Sequence, residues 1–424
     1  MGVRVALAVG LSAASCSSAE ETPIEATVVR DSAGVEIVLD VAKPLWPEAE
    51  GLRLSSRPVL QIGTIAGEET ALYDVVDALR LEDGTIAVAN SGSGEIKFFG
   101  ATGEFLHSIG RPGDAPGEFQ RLRKLGRRDA DSLLLAFDYW AQRVTEYLSA
   151  GVLARTVPLS SPAGAAGAIS EPGPRLSPIG WLHSGILVAR REVRTGEPTT
   201  LREGERLSTS QGTVHLHLVD RDGQTTAIVD EVPGDERVAR IGVLDRQVSL
   251  STVPVPFLKS FQGDAGGKAI VVGNTRSFDI RAYDARGKLV RIIRRPHPLR
   301  EVEATDRRAW IDGQLAAVTD PIVRNRRRRQ YEQMAFPSTV PAFESLILGE
   351  DGQLWVEEFD PADSPSVESL WSVYDQRGHR LGQVVMPPLF RPFEIGRDYV
   401  LGVWRDDVGI EYVRLYDLIS GETL

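Results

Sequence analysis

A single cysteine, Cys16, stands in the 424 residues of this chain. One thiol cannot close an intramolecular disulfide, so no disulfide framework carries the fold. Long apolar runs are also missing. None approaches the roughly 18 to 20 residues that a membrane-spanning helix needs. Positive charge is in deficit, because 48 Lys and Arg against 59 Asp and Glu leave a net charge of −11. That balance argues against a nucleic-acid partner. No nucleophile elbow, Walker loop, HExxH or paired CxxC occurs, which removes the commonest hydrolase, nucleotide and zinc signatures. What remains is an ordinary globular composition, 42% apolar and 25% charged, with ample material for a core.

The first sixteen residues have a layout of their own. Arg4 precedes a short apolar run from Val5 to Leu11, and Ser12, Ala13, Ala14 and Ser15 lead into Cys16. This is a signal-peptide pattern. Small residues running into the only cysteine resemble a bacterial lipoprotein lipobox, although Ala13 stands where such boxes usually carry Leu. The resemblance implies that Cys16 is the lipid-attachment residue, that the membrane is a partner through this lipid, and that the protein sits in the cell envelope. Ser17 after the cysteine implies the outer membrane, facing the periplasm or exterior. Residues 17–56 are expected to form a tether and a small hairpin, the latter over Thr27 to Leu39 around Asp31-Ser32-Ala33-Gly34.

From Arg57 onward a repeat organises the chain. An aromatic or Val, often Asp, two variable residues and then Gly recur at Phe99 to Gly103, Tyr147 to Gly151, Val219 to Gly223, Tyr283 to Gly287 and Tyr374 to Gly378. A version one residue longer runs from Tyr416 to Gly421. Each is a hairpin signal, since Asp favours the turn, Gly accepts φ > 0 and alternating apolar residues flank both sides. An earlier turn and apolar run precede each, for example Asp83-Gly84 before Ile86-Ala87-Val88. Each unit is therefore four strands, and the six units predict an all-β, six-bladed β-propeller over residues 57–424.

The chain stops after the sixth hairpin, so the last unit lacks its outer strand. Arg57 to Gly63, RPVLQIG, is similar to Glu104 to Gly110, EFLHSIG, an outer strand of the first unit. The N-terminal strand is thus predicted to complete the last blade and close the ring. Extra residues are expected as loops at Ser160 to Pro174 and Arg194 to Thr213. A short helical insertion is expected between blades 4 and 5, about 301–334, with Thr305 as an N-cap and a break at Asp320-Pro321.

The stretch IAVANSGSGEIKFFGATGEFLHSIGRPGDAPGEF, Ile86 to Phe119, is similar to the NHL-repeat propellers. The whole chain resembles the bacterial six-bladed propeller lipoproteins of unassigned function. Such a resemblance implies a fold, and propellers host binding modules and enzymes alike.

Three constellations could carry chemistry. Asp77, Lys124, Lys259, Glu344 and Glu394 align on innermost strands and would line the central channel. Arg324, Arg326, Arg327, Arg328 and Arg329 concentrate positive charge on the helical insertion, as a partner patch or a solvated face paired with Asp360 or Asp363. His215 and His217 alternate on one strand face and could ligate a metal or line a solvated blade face. No cofactor is expected beyond a divalent metal such as calcium in the channel. The leading expectation is a non-enzymatic, lipid-anchored binding module for a protein, peptide or glycan ligand. The alternative is a metal-assisted lyase or lactonase working in the channel, and a third is an envelope subunit docking through Glu301 to Met334.

Overall fold

The computed structural model describes residues 28–47, 51–64, 67–128, 132–148, 151–160, 175–193, 207–244, 247–253, 255–296, 298–316, 318–334, 336–361, 368–406 and 408–421. Cys16, the leader, the tether and most of the Ser160 to Pro174 interval lie outside them. Two strands form an N-terminal hairpin, β1 (Val28–Ser32) and β2 (Val35–Leu39), followed by the short β3 (Arg53–Leu54) and β4 (Leu60–Ile62).

Six antiparallel sheets follow. Blade 1 is β5 (Val75–Arg80), β6 (Ile86–Asn90), β7 (Glu95–Phe99) and β8 (Phe105–Ile109). Blade 2 is β9 (Leu122–Arg128), β10 (Leu133–Asp138), β11 (Arg143–Leu148) and β12 (Leu153–Pro158). Blade 3 has five strands, β13 (Ser177–Trp181), β14 (Leu187–Val193), β15 (Leu207–Val219), β16 (Thr225–Leu244) and β17 (Gln247–Val253). Blade 4 is β18 (Phe261–Gly266), β19 (Ala269–Asn274), β20 (Asp279–Asp284) and β21 (Leu289–Arg294). Helices α1 (Ala304–Leu315) and α2 (Pro321–Glu332) intervene before blade 5, β22 (Ser345–Leu348), β23 (Leu354–Glu357), β24 (Ser369–Tyr374) and β25 (Arg380–Met386). Blade 6 is β26 (Phe390–Ile395), β27 (Tyr399–Arg405) and β28 (Glu411–Ile419), completed by β3 and β4.

The local chemistry is that of the repeat. Gly103, Gly151, Gly223, Gly287 and Gly378 have φ between 77° and 90°, where a side chain would be strained. In blades 3, 4 and 5 the turn Asp, Asp220, Asp284 or Asp375, accepts two backbone N–H groups across the hairpin. Ser132 takes a left-handed conformation at φ 50° in the turn before β10, a position where the sequence carries no glycine.

Apolar clusters fill the spaces between consecutive blades, one for each interface around the ring. The closing interface contains Ile62 of β4, packed with Val75 and Val88 of blade 1 and Val413 of blade 6. Its register, Ile62 opposite Val413 and Leu60 opposite Leu415, is antiparallel, so the first and last segments close the ring as the sequence predicts.

The hairpin is joined to the ring in a way that the sequence reading lacks. Strand β2 adds in parallel to β21, the outer edge of blade 4, with Leu39 opposite Arg294. The chain then crosses blade 5, where Leu45 and Trp46 donate their N–H groups to the carbonyls of Arg380 and Leu381. Strand β3 next pairs with blade 6. Residues 28–62 are thus a belt that covers the outer edges of blades 4, 5 and 6, removing backbone edges that would otherwise invite pairing. Asp40 pins it. Its carboxylate, 2% exposed, takes Arg295 at 3.1 Å, Arg380 at 3.2 Å and the Tyr374 hydroxyl at 2.8 Å.

Two expectations need correction. Residues 207–213 are strand rather than loop, because β15 and β16 pair beyond the end of β14, which stops opposite Thr213. Helix α1 begins two residues earlier than Thr305 implies, with Glu303 at the N-cap and its backbone N–H donated to Asp306 Oδ2 at 2.8 Å. The expected break at Asp320-Pro321 is where α2 starts: Asp320 caps the Ile322 and Val323 N–H groups and Pro321 sits in the first turn.

Candidate functional site

In every blade the innermost strand runs away from the face on which the links between blades lie. The antiparallel order therefore puts the turns after first and third strands on the opposite face. The ends of the Ser160–Arg175 and Val193–Leu207 intervals, the β15–β17 extension and the helical insertion all attach to the linking face. The insertion packs there, with Trp310, Ile311 and Leu315 of α1 against Phe257, beside Phe336 and Phe359.

The channel brings together three of the five predicted residues and adds others. Asp77 on β5 lies 3.5 Å from the Lys124 ammonium on β9. Glu394 on β26 lies 2.6 Å from Arg127, also on β9. Each acid has a second task. Asp77 accepts the N–H of Leu125, and Glu394 accepts the N–H of Arg80, both at 2.8 Å and both across a blade boundary. Asp264 on β18 repeats the motif with the Leu348 N–H of blade 5 at 2.8 Å. Burial raises the pKa of Asp77 and of Glu394, opposed by Lys124 and Arg127 respectively. Burial alone would lower Lys124, but Asp77, Asp264 and Glu394 together hold its ammonium charged. Lys124 is thus a tethered cation amid three carboxylates already engaged as inter-blade clamps.

Lys259 and Glu344 are placed differently. They lie just before β18 and β22, at the linking face. Lys259 is 4% exposed and donates to the carbonyls of Thr339 at 2.6 Å and Phe257 at 3.3 Å, holding the end of the insertion against blade 4. Burial depresses its ammonium to about 8. Glu344 accepts the Asp360 N–H at 2.9 Å. Among the described residues no three His, Cys, Asp or Glu side chains are placed to hold a metal ion.

His217 does not line a solvated face. It is 2% exposed, between blades 2 and 3, and neither ring nitrogen has a hydrogen-bond partner. Burial first, then Arg191 and His215, depress it to about 4. His215 stacks beside it at 6.5 Å and faces Glu231 at 3.4 Å. On α2, Arg324, Arg326, Arg327 and Arg329 are exposed, and Arg328 pairs with Asp312 of α1 at 2.8 Å rather than with Asp360.

Cavities open beside the linking face, and two of them share a wall. One of about 530 Å³ lies between blades 5 and 6, lined by Glu344, Glu358, Trp371, Phe390, Arg391 and Arg405 among others. Another of about 720 Å³ lies between blades 6 and 1, with Tyr73, Asp74, Arg121, Arg405, Ile410 and Glu411 in its wall. Arg405 belongs to both. Its guanidinium meets Glu411 Oε1 at 2.6 and 2.8 Å, while Glu411 Oε2 accepts the Val75 N–H at 2.7 Å. Tyr73 is 72% exposed, Val408 75% and Trp140 50%. Arg121 links two of these neighbourhoods, pairing with Asp74 at 3.5 Å and accepting the Tyr139 N–H on its carbonyl at 2.9 Å. Exposed aromatics interleaved with arginine are the composition of interface hot spots. Sequence reasoning missed Arg391, Arg405 and Glu411, whose only signal is their place at strand ends facing the linking side.

No family model matches this chain, and no curated protein does. Among solved structures, the protein BF0058 of Bacteroides fragilis is 12% identical, with a TM-score of 0.44 over 87% of this chain and 95% of that one. A DUF4221 family member from Bacteroides vulgatus is 10% identical, with a TM-score of 0.43 over 87% and 99%. Virginiamycin B lyase from Staphylococcus aureus is 8% identical, with a TM-score of 0.37 over 87% and 100%. Nothing about ligand or chemistry transfers at this level of likeness.

Proposed function

We propose that this propeller is an extracytoplasmic, lipid-anchored binding module that takes a protein, peptide or glycan ligand on its linking face. The observation that carries the reading is Arg405. Held by Glu411, it stands in the shared wall of two cavities on the face that also bears the insertions and the exposed Tyr73. The channel carboxylates support the same reading, because Asp77, Asp264 and Glu394 each hold a backbone N–H of a neighbouring blade. Groups so engaged fasten the ring.

Site-specific photo-crosslinking in the native envelope tests this. A crosslinking amino acid at Tyr73 is expected to capture a partner, and the same group at Arg286, exposed on the opposite face, is not. Capture at Arg286 alone would overturn the proposal.

A further inference from the structure

Helix α2 carries five arginines and one glutamate over its twelve residues, PIVRNRRRRQYE, and buries none of them. Among the described residues, Arg324, Arg326, Arg327 and Arg329 make no ion pair or hydrogen bond through their side chains, while the protein as a whole carries −11. The helix is held by other contacts. Tyr331 packs edge-on against Trp310 of α1 at 5.2 Å, and Asp320 caps the first turn. Ile322, 80% exposed, sits beside the arginines at the N-terminal end. A concentrated cationic face that is unnecessary for the helix itself calls for an anionic counterpart.

The topology says where that counterpart lies. Val28, the first described residue, is opposite Leu39, and Leu39 is opposite Arg294, the last residue of β21. The chain that rises from Arg294 is the one that forms α1 and α2. The leader therefore joins the propeller at the same end of the same blade as the arginine helix. Between Cys16 and Val28 lie eleven residues, at most roughly 40 Å of extended chain. A lipid on Cys16 would hold the bilayer within reach of α2.

We infer that the arginine face of α2 docks on the anionic phospholipid headgroups of the membrane in which the N-terminus is anchored. Each arginine held near an anionic leaflet adds about 1 kcal/mol of attraction, so four of them are enough to orient a protein already anchored there. The inference concerns α2 and goes beyond the ligand reading above.

The test uses the full chain carrying Cys16→Ser, so that vesicle binding reports α2 without the lipid. Co-sedimentation is measured with phosphatidylcholine vesicles alone and with roughly a third phosphatidylglycerol, at low and high salt. The expected result is binding to the anionic vesicles only, weakened by salt. It should fall by on the order of a hundredfold in the combined variant Arg324→Glu, Arg326→Glu, Arg327→Glu and Arg329→Glu. Replacing the same four residues by Lys should retain it, and thermal unfolding should be unchanged in both variants because none of the four is buried. If the glutamate variant misfolds, the same four changed to Gln serve in its place. Equal vesicle binding by parent and charge-reversed chains would overturn the inference. So would retention of the parent on polyglutamate but not on vesicles, which would assign α2 to an acidic protein.

Discussion

Glu394 in the last blade accepts the backbone N–H of Arg80 in the first at 2.8 Å, while its other oxygen meets Arg127 of the second blade at 2.6 Å. One side chain thus ties three blades around the channel. Replacing Glu394 by Ala strands the N–H and removes the closest partner of a partly buried guanidinium. The expected loss is about 2–4 kcal/mol. Denaturant unfolding checks it, and Glu394→Gln, which keeps an acceptor for Arg80, should fall between the two.

Ring closure depends on β4. Ile62 is 1% exposed in the cluster between blades 6 and 1, so Ile62→Ala should cost about 2–4 kcal/mol through the cavity it leaves. Leu106→Ala, at a residue of the first blade's outer strand that is 47% exposed, should cost under about 1 kcal/mol. Parallel melts of the two variants decide whether β4 closes the ring.

The belt makes a separate prediction. Asp40 is the shared anion of Arg295 and Arg380, so Asp40→Ala leaves two half-buried guanidinium groups short of a partner. A loss of about 3–5 kcal/mol is expected. Limited proteolysis should then cut first within residues 28–47, where the belt leaves blades 4 and 5.

His217 sets an acid limb. Its folded value, about 4, lies below its ordinary 6.5, so between those values the unfolded chain binds the extra proton. Its contribution is therefore fully present above pH 6.5 and is lost as pH falls toward 4, about 3 kcal/mol at most. His217→Leu removes two unpartnered buried nitrogens and should flatten stability over that window while leaving pH 7.5 stability equal or higher. Melts at both ends of the window measure it.

The blade count and the closing strand were legible because they rest on local chemistry, with a glycine at positive φ and an Asp beside it writing each hairpin into adjacent residues. The belt was not legible. A parallel pairing of β2 with β21 joins residues some 255 apart and leaves no turn signature. Within the channel, Asp77, Lys124 and Glu394 could be aligned by turn spacing, but Arg127 and Asp264 could not, since which of two strand faces looks inward depends on bulges such as the one between Val75 and Asp77. Arg405 and Glu411 were missed for a different reason. They meet across the second and third strands of one blade, at positions that no repeat phrase marks.

The central claim, that ligand is taken on the linking face and the channel charges fasten the ring, is tested most directly by a paired comparison. Using the partner captured at Tyr73, its retention and the melting temperature are measured for Arg391→Ala with Tyr73→Ala, and for Asp77→Asn with Glu394→Gln. The account predicts that the first pair abolishes retention with little change in melting, and that the second lowers the melting temperature while the folded protein still retains the partner. Loss of retention in a fully folded channel variant, with the Arg391 and Tyr73 variant unaffected, would contradict it.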